Sequence, residues 1–375
     1  MRLKTPALLG LVAAGSLLLA ACGSSSSTTA TSAASAAGSA ASSAGSAAAS
    51  AAATKGKVGV ILPDTKSSAR WETADRPALE AAFKAAGVDY DIQNANGDKA
   101  AMATIADQMI ANGVTVLAIV NLSDESGAAI QKKAATQGVQ TIDYDRLTLG
   151  GSADYYVSFD NTKVGELQGT GLAKCLGSGD KKIVFLNGSP SDSNATAFSA
   201  GAHSVLDKMT NFTKVAEQAV PDWDNQQAGT IYEQMFTAQG GAIDGVLAAN
   251  DGLGNAAIAI NKKNSVQIPV TGQDATVQGL QNILAGDQCM TVFKDVTKEA
   301  GGLSEVAIAL ANGTTPTTTG TVKDTTGNRD VKAILETPQA IYKDNVKDVV
   351  TAKGVTAAEL CTGAYAAECT ALGIS

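Results

Sequence analysis

Val114-Thr115-Val116-Leu117-Ala118-Ile119-Val120 is apolar at every position but one, and Val or Ile fills four of the seven. A strand with one wet face alternates polar and apolar residues. A run without alternation belongs to a strand covered on both faces, as in a parallel sheet between two helix layers. The flanks agree. Upstream, the spacing of Ile105, Met109 and Ile110 predicts a helix over 100–111 ending near Gly113; downstream, a helix over 126–137 stops at Gly138. Further out come a strand at 58–62, a helix over 71–86 closing on Gly87, and strands at 88–93 and 139–143. Helices that end on glycine, alternating with Val- and Ile-rich strands, define a doubly wound, Rossmann-like α/β stack.

After a strand at 155–159 the series begins again. Helices are expected over 161–175, 194–209, 225–237, 253–262, 277–285 and 298–311, with strands at 182–187, 214–220, 243–249, 266–271, 289–293 and 331–335 and a Thr-rich loop over 313–321. Two such stacks, in a chain of 375 residues that is long for a single core, imply two lobes with a crossover near Asp160.

The N-terminus reads as a targeting signal. Arg2 and Lys4 precede an apolar run over 8–19 that is short for a membrane span, and Leu19-Ala20-Ala21-Cys22 resembles a bacterial lipobox. The expectation is a lipoprotein signal over 1–22, cleaved just before Cys22, so that Cys22 starts the mature chain, carries lipid and anchors it to the extracytoplasmic face of the membrane. Residues 23–54 are only Gly, Ser, Ala and Thr, a composition for a flexible tether with a reach of roughly 30 Å. Cys175, Cys289, Cys361 and Cys369 remain, an even number suited to two disulfides in an oxidising compartment; Cys361–Cys369 with Cys175–Cys289 is the favoured pairing. One histidine and no CxxC argue against zinc, and no metal or cofactor is expected. A net charge of −8 and a pI near 4.8 argue against nucleic acid and suit a soluble monomer.

Arg70, Trp71, Asp145, Arg146, Asn194, Trp223, Asn250, Asp274 and Lys294 nearly all follow closely on a strand, although they span more than half the chain. In an open α/β sheet the carboxyl ends of the strands meet at one crevice, where ligands bind. Indoles, amides, carboxylates and cations dominate, without a nucleophile–base pair. Hydroxyl groups need directional partners, and charged partners give the stronger hydrogen bonds. The C–H faces of a sugar ring need flat aromatic ones. These nine residues meet both demands.

The ordered set Lys66-Ser67-Ser68-Ala69-Arg70-Trp71, Tyr144-Asp145-Arg146-Leu147, Ser158-Phe159-Asp160-Asn161, Gly188-Ser189-Pro190 with Asn194-Ala195, Asn250-Asp251-Gly252-Leu253, Gly272-Gln273-Asp274-Ala275 and Thr291-Val292-Phe293-Lys294 resembles the solute-binding proteins of monosaccharide ABC importers, nearest the xylose-binding and multiple-sugar-binding subgroup. The resemblance covers about residues 57–350. It implies the type I periplasmic binding protein fold, two lobes joined by three hinge strands: 55–160 plus 294–328, and 161–293 plus 329–375. It also implies roles. Arg70, Asp145 and Arg146 would bind hydroxyls from the first lobe, with Trp71 beside them. Asn194, Asn250 and Asp274 would bind from the second, Trp223 would stack on the ring, and Lys294 would reach a ring or anomeric oxygen. Asp251 and Gln273 would be supports. Asn187, Ser193 and Lys294 depart from common family residues and leave the sugar open, xylose or a related pentose or hexose.

The expected partners are therefore a free monosaccharide and an ABC permease. The alternative is a sugar-sensing receptor that presents its closed form to a chemoreceptor or sensor kinase. A repressor with the same core would need an N-terminal helix-turn-helix, which the signal and tether displace. An enzyme is not expected, because there is no GxSxG elbow, P-loop or GxGxxG after the first strand. A glycosidase needs one carboxyl as a general acid, and cations beside Asp145 and Asp274 disfavour the protonated form.

Overall fold

The computed structural model describes residues 55–375, so the signal, the tether and Cys22 lie outside the described residues. The first lobe is built from β1 (Lys57–Leu62), α1 (Arg76–Ala86), β2 (Tyr90–Asn94), α2 (Lys99–Ala111), β3 (Val114–Ile119), α3 (Asp124–Thr136), β4 (Gln140–Tyr144) and β5 (Tyr155–Phe159). The chain then enters the second lobe through α4 (Asn161–Leu176), β6 (Lys181–Asn187), α5 (Ser193–Leu206), β7 (Phe212–Ala219), α6 (Asn225–Ala238), β8 (Gly245–Ala248), α7 (Asp251–Lys263), α8 (Val277–Ala285) and β9 (Thr291–Phe293). It returns with α9 (Val296–Ala311), β10 (Gly320–Asp324) and β11 (Arg329–Glu336), then crosses again to β12 (Gln339–Ile341), α10 (Val346–Thr351), α11 (Ala357–Leu360) and α12 (Ala366–Ala371).

The first sheet has the order β10-β11-β5-β4-β3-β1-β2, parallel throughout except for β10. β3 sits inside it, and its apolar run is divided between two layers. Val116, Ala118 and Val120 join the core under α1 and α9, while Leu117 and Ile119 join the core under α2 and α3. Burial on both faces is why the run is apolar except at Thr115, its one exposed position. In the second lobe β7-β6-β8 form a parallel sheet and β9 pairs antiparallel with β12.

Several expectations need correction. The strand over 266–271 is reduced to one bridge between Val246 and Val270, although its backbone still links β8 to β9 through Thr271 N to Val246 O (3.0 Å) and Cys289 N to Val270 O (2.9 Å). Pro269 has no amide hydrogen to give, so a regular ladder breaks there. The Thr-rich loop ends in β10, an edge strand. The return crossing also moves: β11 pairs with β5, so residues 329–336 belong to the first sheet and the chain crosses at Thr337-Pro338 instead of at 329.

The tail forms its own core on α8 and β9 through Val349, Val355, Leu360 and Cys369 against Leu280, Ile283 and Phe293. Cys175 lies beside Cys289 and Cys361 beside Cys369, with Cα separations of 6.3 and 5.8 Å, inside the range that a disulfide spans.

Candidate functional site

All nine candidate residues line one interlobe cavity, joined by Ser67, Ser68, Asp192, Phe198 and Gln273. The lobes are closed tightly on it, leaving only about 30 Å³ of space that a water-sized sphere can enter. Arg70 and Trp71 open the helical segment that follows β1, and Asp145 and Arg146 lie in the loop at the carboxyl end of β4. Asn194, Trp223, Asn250 and Asp274 follow β6, β7, β8 and the Val270 bridge, and Lys294 follows β9.

Backbone strain gathers here. Asp145, Trp223 and Asp274 have φ of 60°, 54° and 96°, values that favour glycine, and their neighbours Asp222 and Ala275 do too. The Asp145 turn is fixed by Asp145 N to Val157 O (2.8 Å) and Arg146 N to Tyr144 O (2.7 Å). Trp223 presses its ring on Gly188, where a Cβ would come within 2.0 Å, and donates Nε1–H to Asp192 (3.1 Å). Trp71 has one face covered by the Arg70 guanidinium at 4.3 Å and donates to Ser67 Oγ at 3.2 Å.

The charges pair off. Three cations and three aspartates line the cavity: Arg70 lies 3.2 Å from Asp145, Arg146 3.0 Å from Asp192, and Lys294 3.5 Å from Asp274. Behind them Arg70 also grips Asp75 (2.8 and 2.9 Å) and Glu299. Burial works against the Arg70 charge, yet Asp75, Glu299 and Asp145 outweigh it and raise its pKa. Burial likewise pushes Asp145 up, but Lys294, Arg70 and Arg146 overcome it and keep the carboxylate ionised. At Asp192 burial wins over Arg146, with Asp145 adding to the rise. Glu299 is held well above the ordinary carboxyl range by burial, against the pull of Arg70 and with Asp145 and Asp75 adding to the rise.

Some residues do more, or other, than their sequence positions suggest. Asn194 is saturated: Nδ2 donates to Asp145 O (2.9 Å) and Oδ1 (3.0 Å), and Oδ1 accepts from Asn161 (2.8 Å) and Tyr156 (3.2 Å). Gln273 supports Asp274 through Nε2 (2.8 Å), while its Oε1 is a buried acceptor without a partner among the described residues, set at the cavity. Asp274 is not a helix cap; Thr276 caps α8. Asp251 accepts from Thr276, Gln288 and Thr291, tying α7 to α8 and β9. The acidic residues Asp75, Asp143 and Glu299 are wholly buried. Asp192, Phe198 and Ser67 were not expected at the cavity. Asp192 is the N-cap of α5 and Phe198 packs in the second lobe's core, so neither carries a binding signal of its own in the sequence.

Two α/β lobes that cross three times and close on a charge-paired cavity at their strand ends define a solute-binding protein. The chain belongs to the family described as periplasmic binding protein domain, whose model matches residues 58–315. This is a family of binding proteins, not enzymes. Over 307 residues the chain is 34% identical to the D-xylose-binding periplasmic protein of Escherichia coli, covering 80% of this chain and 91% of that one. It is 33% identical over 324 residues to the multiple sugar-binding periplasmic receptor of Rhizobium radiobacter, again covering 80% and 91%. A carbohydrate transporter solute-binding protein from Chloroflexus aurantiacus, solved with D-glucose, superposes with a TM-score of 0.74 at 29% identity, covering 80% of this chain and 97% of the other.

Proposed function

We propose that this protein captures a free, uncharged monosaccharide between its lobes outside the cytoplasm and delivers it to an ABC permease. Xylose or a related pentose or hexose is the favoured ligand, with Cys22 as the lipid-bearing residue that keeps the receptor at the membrane. The observation that carries the reading is the charge balance of the cavity. Each lining cation has its own aspartate, so a sugar acid or sugar phosphate would bring an uncompensated charge into a buried site. A neutral ring brings none, and its hydroxyls can insert among dipoles already oriented. Arg146, Asn250, Gln273, Asp274 and Lys294 supply polar contacts, and Trp223 supplies a flat surface. Arg70 and Asn194 are so fully engaged by protein that their part is to shape the site as much as to touch the ligand.

Isothermal titration of the mature chain with D-xylose, D-glucose and related aldoses tests the proposal. At least one should bind in the micromolar range or tighter, about −8 kcal/mol. Trp223→Ala and Asp274→Ala should each weaken that binding at least tenfold while circular dichroism stays unchanged. Parent-like binding by both variants would refute the site.

A further inference from the structure

Asp192, Ser193 and Asn194 are three consecutive residues at the start of α5 in the second lobe, and each meets the loop Asp145-Arg146-Leu147 of the first directly, Asp192 by an ion pair and the other two by hydrogen bonds. Asp192 Oδ2 lies 3.0 Å from Arg146 Nε. Ser193 Oγ donates to Leu147 O at 2.8 Å. Asn194 Nδ2 donates to Asp145 O at 2.9 Å and to its Oδ1 at 3.0 Å. We propose that this tripeptide is an interlobe clasp, whose bonds set the open–closed balance of the protein itself and hold the ligand by slowing reopening.

Three features support a clasp over incidental contact. The bonds run from lobe to lobe without a third party. Both sides are pre-shaped: Asp192 is fixed by Asn194 N (2.9 Å), and the receiving loop by the positive φ of Asp145. Asp192 is also shared, holding Arg146 of one lobe and the Trp223 indole of the other. Opening would uncouple Arg146 from Trp223 and take the ring-binding wall apart. Arg146, Asp192 and Trp223 line both the inner cavity and an outer cleft, so on that side of the cavity a solute passes the clasp.

Ser193 gives the clean test because it does not line the inner cavity. Ser193→Ala deletes one interlobe hydrogen bond, and Ser193→Thr keeps the hydroxyl. In small-angle scattering without sugar, wild type and Ser193→Thr should share a partly closed profile. Ser193→Ala and Asp192→Asn should shift towards an open one, by roughly three- to tenfold in the closed-to-open ratio for one lost bond. The inference rests on the sugar reading only for its second arm: in stopped-flow Trp fluorescence, Ser193→Ala should raise the dissociation rate by a similar factor and leave the association rate nearly unchanged. A fully open wild type, or Ser193→Ala and Asp192→Asn profiles matching wild type, would overturn the clasp. Failure of every sugar to bind would instead overturn the function and leave the scattering arm decisive.

Discussion

Asp143 and Asp251 are carboxyl groups fully shielded from solvent, each serving as the acceptor at the centre of a hydrogen-bond cluster. Burial raises both, Asp143 to about 7 and Asp251 to about 6, against the lowering effect of their donors. Because the folded value exceeds the unfolded one, the native state binds the extra proton. The stabilising contribution is therefore full in acid and is lost as pH rises towards the folded value. For Asp251 this predicts a loss of about 1.4 kcal/mol between pH 5 and 7.5. Asp251→Asn should cost about 1–3 kcal/mol at pH 5, because one acceptor of the cluster becomes a donor, and the gap to wild type should narrow at pH 7.5. Urea unfolding at the two pH values measures this; a gap that widens would mean that Asp251 is ionised without penalty. Glu217 has the opposite sign. Burial opposes its ionisation, but Lys214, His203 and Asn187 win and lower it to about 2, so what it adds is lost only in acid.

At the scale of elements, the two cysteine pairs close loops of very different length. Cys175 and Cys289 are 114 positions apart, Cys361 and Cys369 only 8. If both form disulfides, loop-closure entropy gives the long loop about 5 kcal/mol and the short one about 2.5. Replacing Cys175 and Cys289 by Ser should therefore lower the melting temperature more than replacing Cys361 and Cys369, and mass spectrometry of the alkylated, non-reduced protein should find no free thiol. The elements that sequence reading placed best are those with a single dominant signal, such as β3 between its helices or α8, found at 277–285 as expected. Those it missed carry weak or conflicting ones. β10 is an edge strand with most residues exposed, so no apolar run marks it, and β12 has only three residues. Pro269 sits inside an apolar stretch that otherwise reads as a strand. The candidate site was legible because strand ends converge whatever the details of packing. Asp75 and Glu299 were not, because a helical acid beneath Arg70 looks in sequence like any solvated one.

For the molecule as a whole, the paired charges predict which solutes the cavity should accept. Arg70, Arg146 and Lys294 already face Asp145, Asp192 and Asp274, so the lining has no net charge to offer an ionic ligand. A neutral pentose or hexose should bridge the lobes, shift the open–closed equilibrium and stabilise the native state by mass action, about 2.7 kcal/mol at a concentration 100 times the Kd. At roughly 2 °C per kcal/mol for a chain of this size, the melting temperature should rise by about 5 °C. The corresponding uronic acid or sugar 6-phosphate at the same concentration should raise it by less than 1 °C, because its charge would displace an existing partner from Arg70, Arg146 or Lys294 and strand a buried aspartate. A thermal-shift screen that pairs each neutral sugar with its acidic derivative makes the comparison directly. A larger shift with the acid would show that one of the three ion pairs opens to receive it, and the charge-balanced cavity would no longer account for ligand choice.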